Sequence, residues 1–369
     1  MNIFYAFGSK PNQGLDQSNI WHSNIYMSLI DLGHNIIEFD FNLEPHYAHA
    51  DPSIQNNIIF NNKNRSILEN ELIRQIEVAH KKKPLDLFFS YFYSSFVSAS
   101  IIKKISSMGI PTMNWYCNAA HQFHLVRDIA KAYDFSLVPE KFRINDYKNA
   151  GANPIYCQEA ANPMIYRPFN LRKIYDVSFV GGAGANRPLY VKELLNSGIN
   201  VKTWGIGWRN LSPPPNYYKQ LKWRIKRSIA YLRRDALLPI IPRNNCDMPL
   251  SDSEMIRLFS QSKISLGFTM TNNSTNNSDL KQVRLREFEA TMSGAFYMLE
   301  YVKDIEDYFD IDKEIVCFHD VNDLIDKVNY YLKHPEEREC IRQAGYKRAI
   351  KDHTWQIRLT AAFNEAKLL

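Results

Sequence analysis

Several things are missing from this chain, and each omission narrows what it can be. No apolar run approaches the ~18 residues that a membrane-spanning helix needs. The five cysteines, Cys117, Cys157, Cys246, Cys317 and Cys340, are far apart, odd in number and contain no CxxC pair. That argues against a disulfide framework and a zinc ribbon, and for a reducing, cytoplasmic compartment. The first residues, MNIFYAFGSK, lack the charged start and apolar core of a signal peptide. There is no GxGxxG fingerprint, so a dinucleotide domain is not supported, and no GxxxxGK[ST], so ATP hydrolysis is not indicated. No RNA-binding signature is present, and no nucleic-acid partner is expected. The DxD at Asp310-Ile311-Asp312 reads as a turn before a strand rather than a metal site. Neither a metal nor a cofactor is expected.

What is present fits a folded protein of two domains, because 369 residues exceed what one core usually organises. Hydrophobic residues make up 45% of the chain, enough for two cores. Aromatic residues reach 13%, and such side chains also line clefts and stack on sugars or bases. The net charge of +6 is local: eight basic residues and one acidic residue lie between Lys219 and Arg243, leaving 37 basic against 38 acidic elsewhere. A local surplus is a candidate site rather than a general property.

The first half alternates strand and helix patterns, the mark of a doubly wound α/β sheet. Asn2 to Phe7 reads as a strand ending at Gly8, with a helix capped by Ser18 behind it and a second strand from His34 to Phe39. The Gly8 loop sits where ligands of such sheets bind, at a strand's carboxyl end. Asp40 to Asn64 is polar, rich in Asn and without period, and reads as a long loop. Helices are then expected over Arg65–Lys83, Phe96–Met108, His121–Lys131 and Glu140–Ala150, with strands at Pro84–Tyr93, Pro111–Tyr116 and Asp134–Val138. The passage from Asn114 to His124 follows a strand end and is dense in groups that contact a sugar or move a proton. His121, His124 and His22 are candidate general bases, since an unperturbed imidazole titrates near pH ~6.5. Hydrogen bonding at a helix start is the plainer role for any of them. Trp115, Asn118 and Gly8 are the expected acceptor-side residues.

Gly151 to Lys173 holds three prolines and reads as an irregular interdomain connection. A second α/β series begins at strand Tyr175–Val180, with the loop GGAGANRP behind it. Gly181 and Gly182 place small residues where a backbone must come close to something. The loop amides, the following helix start and Arg187 together suit a phosphate, although tight packing explains such a loop equally well. Lys219 to Leu238 spaces Leu221, Ile225, Ile229, Leu232 and Ala236 at three or four residues, an amphipathic helix with a strongly basic face. A solvated face, an anionic membrane surface or lipid-phosphate acceptor, and RNA are its three readings. Ser251 to Glu254 is a capped helix start. After an Asn/Ser/Thr-rich loop comes Asp279 to Leu299, DLKQVRLREFEATMSGAFYML. Here Lys281, Arg284 and Arg286 lie on or beside a helix start. They suit a pyrophosphate leaving group, or else salt bridges to Glu287 and Glu289. Gly294 permits a tight turn into a strand.

Stretches in a fixed order carry a family resemblance. They are Val138-Pro139-Glu140-Lys141, Gly151 to Pro154, Ala160 to Pro163, Asp176 to Gly181, Trp204 to Trp208, Arg284 to Ala290, Ser293 to Phe296 and His353-Thr354-Trp355 with Arg358. Over roughly residues 110–360 the chain resembles the spore-maturation-protein (CgeB-like) glycosyltransferases, related to the group 1 enzymes of GT-B fold. The resemblance implies two facing Rossmann-like domains with doubly wound parallel sheets: 1–168 on the acceptor side and 169–351 for the nucleotide sugar. A last helix, 352–369, is expected to pack back on the first domain. It implies a metal-independent transferase that uses a nucleotide sugar as substrate and a glycan, lipid-linked or protein acceptor. Such an enzyme would be cytoplasmic and peripheral at the inner membrane face. In the wider group a Glu-x7-Glu pair ends five residues before a glycine. Glu289 and Gly294 match that ending, which implies a ribose contact for Glu289, whereas Lys281 stands where the first glutamate would be. A non-catalytic nucleotide- or sugar-binding protein of the same fold is the alternative.

Overall fold

Runs such as Ile3-Phe4-Tyr5-Ala6 and Leu87-Phe88-Phe89-Ser90 are buried at every position, the signature of parallel strands covered on both faces. The computed structural model describes residues 1–7, 20–233, 237–270 and 280–369. Gly8, Ser18, Asp279 and most of the Asn/Ser/Thr-rich loop lie outside the described residues. The chain forms two units, Met1–Ile165 with His353–Leu369, and Tyr166–Asp352.

In the first unit, β1 (Asn2–Ala6) is followed by a π-helical turn (His22–Tyr26) and α1 (Met27–Asp31). Next come β2 (Asn35–Glu38), α2 (Glu44–Ala48), α3 (Gln55–Lys82), β3 (Leu87–Ser90), α4 (Ala99–Ser107) and β4 (Thr112–Trp115). The series closes with α5 (Ala119–Gln122), α6 (Arg127–Ala130), β5 (Phe135–Val138), α7 (Ile144–Asn149) and β6 (Pro154–Tyr156). The six strands form one parallel sheet in the order β2-β1-β3-β4-β5-β6, with Ile3 beside Ile36 on one side and Leu87 on the other. Alternate side chains feed two cores. Ile3, Tyr5 and Phe89 join one, and Phe4, Ala6 and Phe88 join the other with α3 and α4.

Three expectations change here. The loop expected over 40–64 holds α2 and the first ten residues of a 28-residue helix. Its period is hidden because the inward positions there are Asn57 and Asn61, which donate to the carbonyls of Asp51 (2.9 Å) and His49 (2.8 Å). The single helix expected from His121 is broken, with a 3-10 turn between α5 and α6. The Leu125 carbonyl accepts from Ser94 N (2.7 Å) rather than continuing an α-helical ladder. The connection 151–173 contributes β6, where proline is tolerated because the strand is at the sheet edge.

The second unit contains β7 (Tyr175–Val180), α8 (Arg187–Asn196), β8 (Val201–Trp204), α9 (Tyr217–Leu232), β9 (Cys246–Asp247), α10 (Asp252–Gln261) and β10 (Ser262–Gly267). It continues with α11 (Leu285–Met292), β11 (Tyr297–Glu300), β12 (Val316–Phe318), α12 (Val321–Lys333) and α13 (Pro335–Asp352). Its parallel sheet runs β12-β11-β10-β7-β8-β9. Strand order reverses between β7 and β10, the point where open α/β sheets bind ligands beyond the carboxyl ends. Ser251 caps α10 through a reciprocal capping box with Glu254. The basic helix ends at Leu232, short of the expected Leu238. Asp312 has φ 62° in the turn that brings Ile311 beside Ile315. The chain then returns to the first unit as α14 (Trp355–Glu365), where the Trp355 ring meets Trp115 edge-on at 5.2 Å.

Candidate functional site

The switch point of the second sheet puts Gly181-Gly182 after β7, Thr269 after β10 and Glu300 at the end of β11. Gly181 is packed for space. A Cβ on it would stand 2.7 Å from the Phe179 ring, and a Cβ on Gly205 would stand 2.2 Å from the Gly181 carbonyl. The amides of Gly181 and Ala183 already donate to the carbonyls of Trp204 and Ile206, both at 2.9 Å. These two amides of the glycine loop are therefore committed to the fold, and charge at this site comes from side chains.

Arg187 opens α8. Its Nη1 donates to the Gly182 carbonyl (3.0 Å), and its guanidinium lies 5.7 Å from the centre of the Phe179 ring. Burial, followed by the nearby Arg284 cation, lowers its pKa to about 10. The Nε atoms of both Arg187 and Arg284 are buried and have no hydrogen-bond partner among the described residues. Two like charges with unused donors, beside the positive end of a ten-residue helix, make a place for an anion.

Carboxylates frame this pair. Glu300 is 1% exposed. It accepts from the amides of Thr269 (3.1 Å) and Met270 (3.3 Å) and from Asn186 Nδ2 (3.4 Å), and it pairs with Lys281 Nζ at 3.2 Å. Lys281 is not on a helix. It pairs with Met270 in an isolated antiparallel bridge, so the helical spacing that put it on one face with Arg284 does not apply. Arg284 is the N-cap residue of α11, and its backbone N–H donates to Glu287 Oε2 (3.0 Å). Burial raises the Glu287 pKa to about 7.

Arg286 and Glu289 form a different group. Residues two apart on a helix are separated by about 200° around its axis, so Glu289 turns away from the face of Glu287. It pairs with Arg286 at 2.7 Å, and Arg286 also meets the Met255 sulfur. Tyr166 completes the group; burial and then the Glu289 carboxylate hold its phenol well above the ordinary range. Gly294 lies at the opposite end of β11 from Glu300. Its φ is 72°, its N–H donates to Thr291 O (3.0 Å), and it reverses the chain after α11.

In the first unit the expected residues scatter. Trp115 is fully buried between Trp21 and Trp355, a core side chain with no face for a sugar, which corrects its acceptor-side role. Asn118 precedes α5, and its Nδ2 lies 3.4 Å from the Tyr91 hydroxyl. His121 is half-buried on α5. The exposed His124 is near Asp51, whose carboxyl is held below its ordinary pKa first by hydrogen bonds from Ser53 and only lastly by His124. His22 stacks on Tyr26, with centroids 4.6 Å apart. The residue that braces the His121 segment was not singled out in the sequence. Glu140 accepts from Ala120 N (3.2 Å) while Arg143 Nη2 donates to Ala120 O (2.5 Å). Burial raises the Glu140 pKa to about 7. Glu140 stands two residues after the end of β5 and inside the Val138–Lys141 stretch of the family resemblance, the signals that could have marked it. Among the described residues, no three His, Cys, Asp or Glu side chains converge as metal ligands, and no helix is long and apolar enough to cross a membrane.

Comparisons with known proteins agree with this architecture. Residues 187–364 match the family model described as glycosyl transferase-like, beginning at Arg187 itself. No curated protein sequence matches the chain. Similar solved structures include an alpha-glucosyltransferase in complex with UDP-glucose and DNA containing an abasic site (TM-score 0.60, 12% identity, covering 99% of this chain and 98% of that one). Another is sucrose-phosphate synthase from Thermosynechococcus elongatus (0.58, 12%, 100% and 99%). A third is Anabaena HepE in complex with UDP-glucose (0.56, 10%, 100% and 99%). At such identities the likeness is one of fold: the chain is an α/β protein of GT-B type with a Rossmann-like sheet in each unit, and residues 187–364 are similar to the glycosyl transferase-like family model.

Proposed function

We propose that this protein is a glycosyltransferase that takes a nucleotide-diphosphate sugar as donor. The acceptor is a glycan, a lipid-linked saccharide or a protein, and the sugar is a hexose or a relative of one. The observation that carries the reading is the Arg187–Arg284 pair with its buried, unpartnered Nε donors. As the glycosidic bond to the donor breaks, negative charge grows on the departing diphosphate. Fixed cations aimed at that charge stabilise the transition state without a metal. Arg187 and Arg284 serve as the diphosphate clamp, and the match to a glycosyl transferase-like family over 187–364 supports that use. Binding of UDP-glucose by two of the similar structures makes UDP the first nucleotide to try.

Of the remaining assignments, those of Glu289 and Lys281 rest on the resemblance and that of the base rests on imidazole chemistry. Glu289 takes the ribose, with Arg286 and Tyr166 fixing its carboxylate. His121 or His22 is the base for the acceptor hydroxyl. Lys281, held by Glu300, replaces the first glutamate of the pair and so changes how the donor sugar is gripped. The protein acts in the cytoplasm.

Isothermal titration with UDP and with a panel of nucleotide sugars tests the clamp, and donor hydrolysis tests turnover. The expected result is binding that is lost in Arg284→Ala and weakened in Glu289→Ala. If no nucleotide sugar is bound or hydrolysed, the transferase reading fails. The lysine at the first-glutamate position favours one second reading, a nucleotide-sugar-binding protein without turnover. Tight binding with no hydrolysis and no transfer would select it.

A further inference from the structure

The helix α9 is turned inside out. On a helix of about 100° per residue, Gln220, Trp223, Arg227 and Ala230 share one face, and these are the partly buried positions. That face holds the helix to the unit: Trp223 Nε1 donates to Asn210 O (3.2 Å) and Arg227 Nη2 to Leu238 O (2.9 Å). Roughly 160° away from Trp223 and from Arg227 lies Ile225, in a stripe with Leu221, Ile229 and Leu232. These four are exposed at 51%, 46%, 44% and 79%. Tyr217 and Tyr218 extend the stripe at 80% and 64%. An ordinary surface helix buries its apolar stripe; this one presents it to the outside.

Cations border the stripe. Lys219, Lys222, Lys226 and Arg233 lie along one margin and Arg224 along the other, and no acidic residue occurs between Tyr217 and Arg233. None of these five cations has an ion-pair partner among the described residues. A second copy of the chain would bring five like charges against five, which disfavours self-association through this face. A nucleic acid would meet the charges but leave Leu221, Ile225, Ile229 and Leu232 in water. A bilayer with anionic headgroups satisfies both: aliphatic side chains enter the acyl boundary while lysines and arginines stay among the phosphates.

We propose that α9 is a membrane-docking element, which lays its outer face on an anionic lipid surface. The inference is independent of the donor site, since neither Arg187 nor Arg284 belongs to this helix. It makes the acceptor, if one is taken from the same surface, a lipid-linked one.

The test is co-sedimentation of the full chain with vesicles of phosphatidylcholine alone and of phosphatidylcholine with phosphatidylglycerol. Binding is expected only to the second, and it should weaken with added salt. Lys222→Glu with Lys226→Glu, and separately Leu221→Ser with Ile225→Ser, should each reduce partition about tenfold or more. UDP affinity should not change in either variant, which separates failure here from failure of the donor reading. A second measurement places an environment-sensitive dye on Ile225→Cys or on Gln220→Cys, in a Cys340→Ser background. A blue shift with anionic vesicles is expected for the first dye and not the second. Equal binding to neutral and anionic vesicles, unchanged partition of the charge-reversed variant, or binding to an RNA oligonucleotide with none to vesicles would each overturn the proposal.

Discussion

Replacing Arg187 with methionine should move ligand binding and stability in opposite directions. The side chain is 7% exposed, and burial together with Arg284 lowers its pKa to about 10 from 12.5. A base with a folded pKa below its unfolded one carries a penalty wherever both states are protonated, and the penalty is relieved only as pH rises through about 10 towards 12.5. At neutral pH that penalty is roughly 3 kcal/mol. Against it stands the hydrogen bond to the Gly182 carbonyl, about 1 kcal/mol, and the packing of the stem, which methionine largely keeps. The ligand-free Arg187→Met protein should therefore be more stable than wild type by about 1–2 kcal/mol, a rise of roughly 2–8 °C in Tm for a unit of this size. The same change removes charge-assisted hydrogen bonds to a diphosphate, each about 1.5–3 kcal/mol, so UDP affinity should fall by about 10- to 150-fold. Thermal shift with and without UDP reads both effects. At a UDP concentration near 100 times the wild-type Kd, wild type should gain about 2.7 kcal/mol and the variant only about 0.3–1.4 kcal/mol. A ligand-free variant that melts lower than wild type would mean that Arg187 is a structural strut, and the reasoning about an anion site would be wrong. An unchanged UDP shift would refute it from the other side.

Glu287 predicts a pH dependence. Its pKa is raised from 4.5 to about 7 by burial, so the folded protein holds its proton longer than the unfolded chain does. Stability should be greatest below about pH 4.5 as far as this group is concerned and decline as pH rises through about 7, by up to roughly 3 kcal/mol. Glu287→Gln should flatten that part of the profile in urea denaturation, and an unaltered slope would refute the assignment. Gly294→Ala tests the turn after α11. At φ 72°, with the new Cβ 2.7 Å from Pro168, a loss of about 1–3 kcal/mol is expected by thermal melting. UDP affinity below the melting range should stay unchanged, because Gly294 is at the far end of β11 from the arginine pair.

Much of the fold was legible because its strands are short apolar runs bounded by turns and its helices carry a period. Tyr175–Val180, followed by a glycine loop and a helix start, reads as a βα unit in any context, and the structure has it at the same residues. The pattern failed where polar side chains do work inside the fold. Asn57 and Asn61 face inward on α3 and bond to backbone carbonyls, so a rule that looks for apolar residues every three or four positions sees a loop. Trp115 failed in the opposite sense. An aromatic residue near a strand end suits sugar stacking as well as packing, and only Trp21 and Trp355, distant in sequence, decide for packing.

The site divides along the same line. Arg187 and Arg284 are recognisable by charge beside helix starts, but their proximity is not, since 97 residues separate them in the chain. What brings them together is the reversal of strand order between β7 and β10: the helix after β7 and the segment after β10 both begin at the same edge of the sheet. Glu300 belongs to that edge too, as the last residue of β11, and in the sequence it is only a glutamate at the end of an apolar run. Its burial is compensated by two backbone amides and by Lys281. Lys281, read from the sequence as a departure from the Glu-x7-Glu pattern, is thus one half of a charge pair whose other half is nineteen residues away. Removing Lys281 would leave Glu300 buried without the cation it pairs with, so the departure and the buried carboxylate have to be understood, and varied, together.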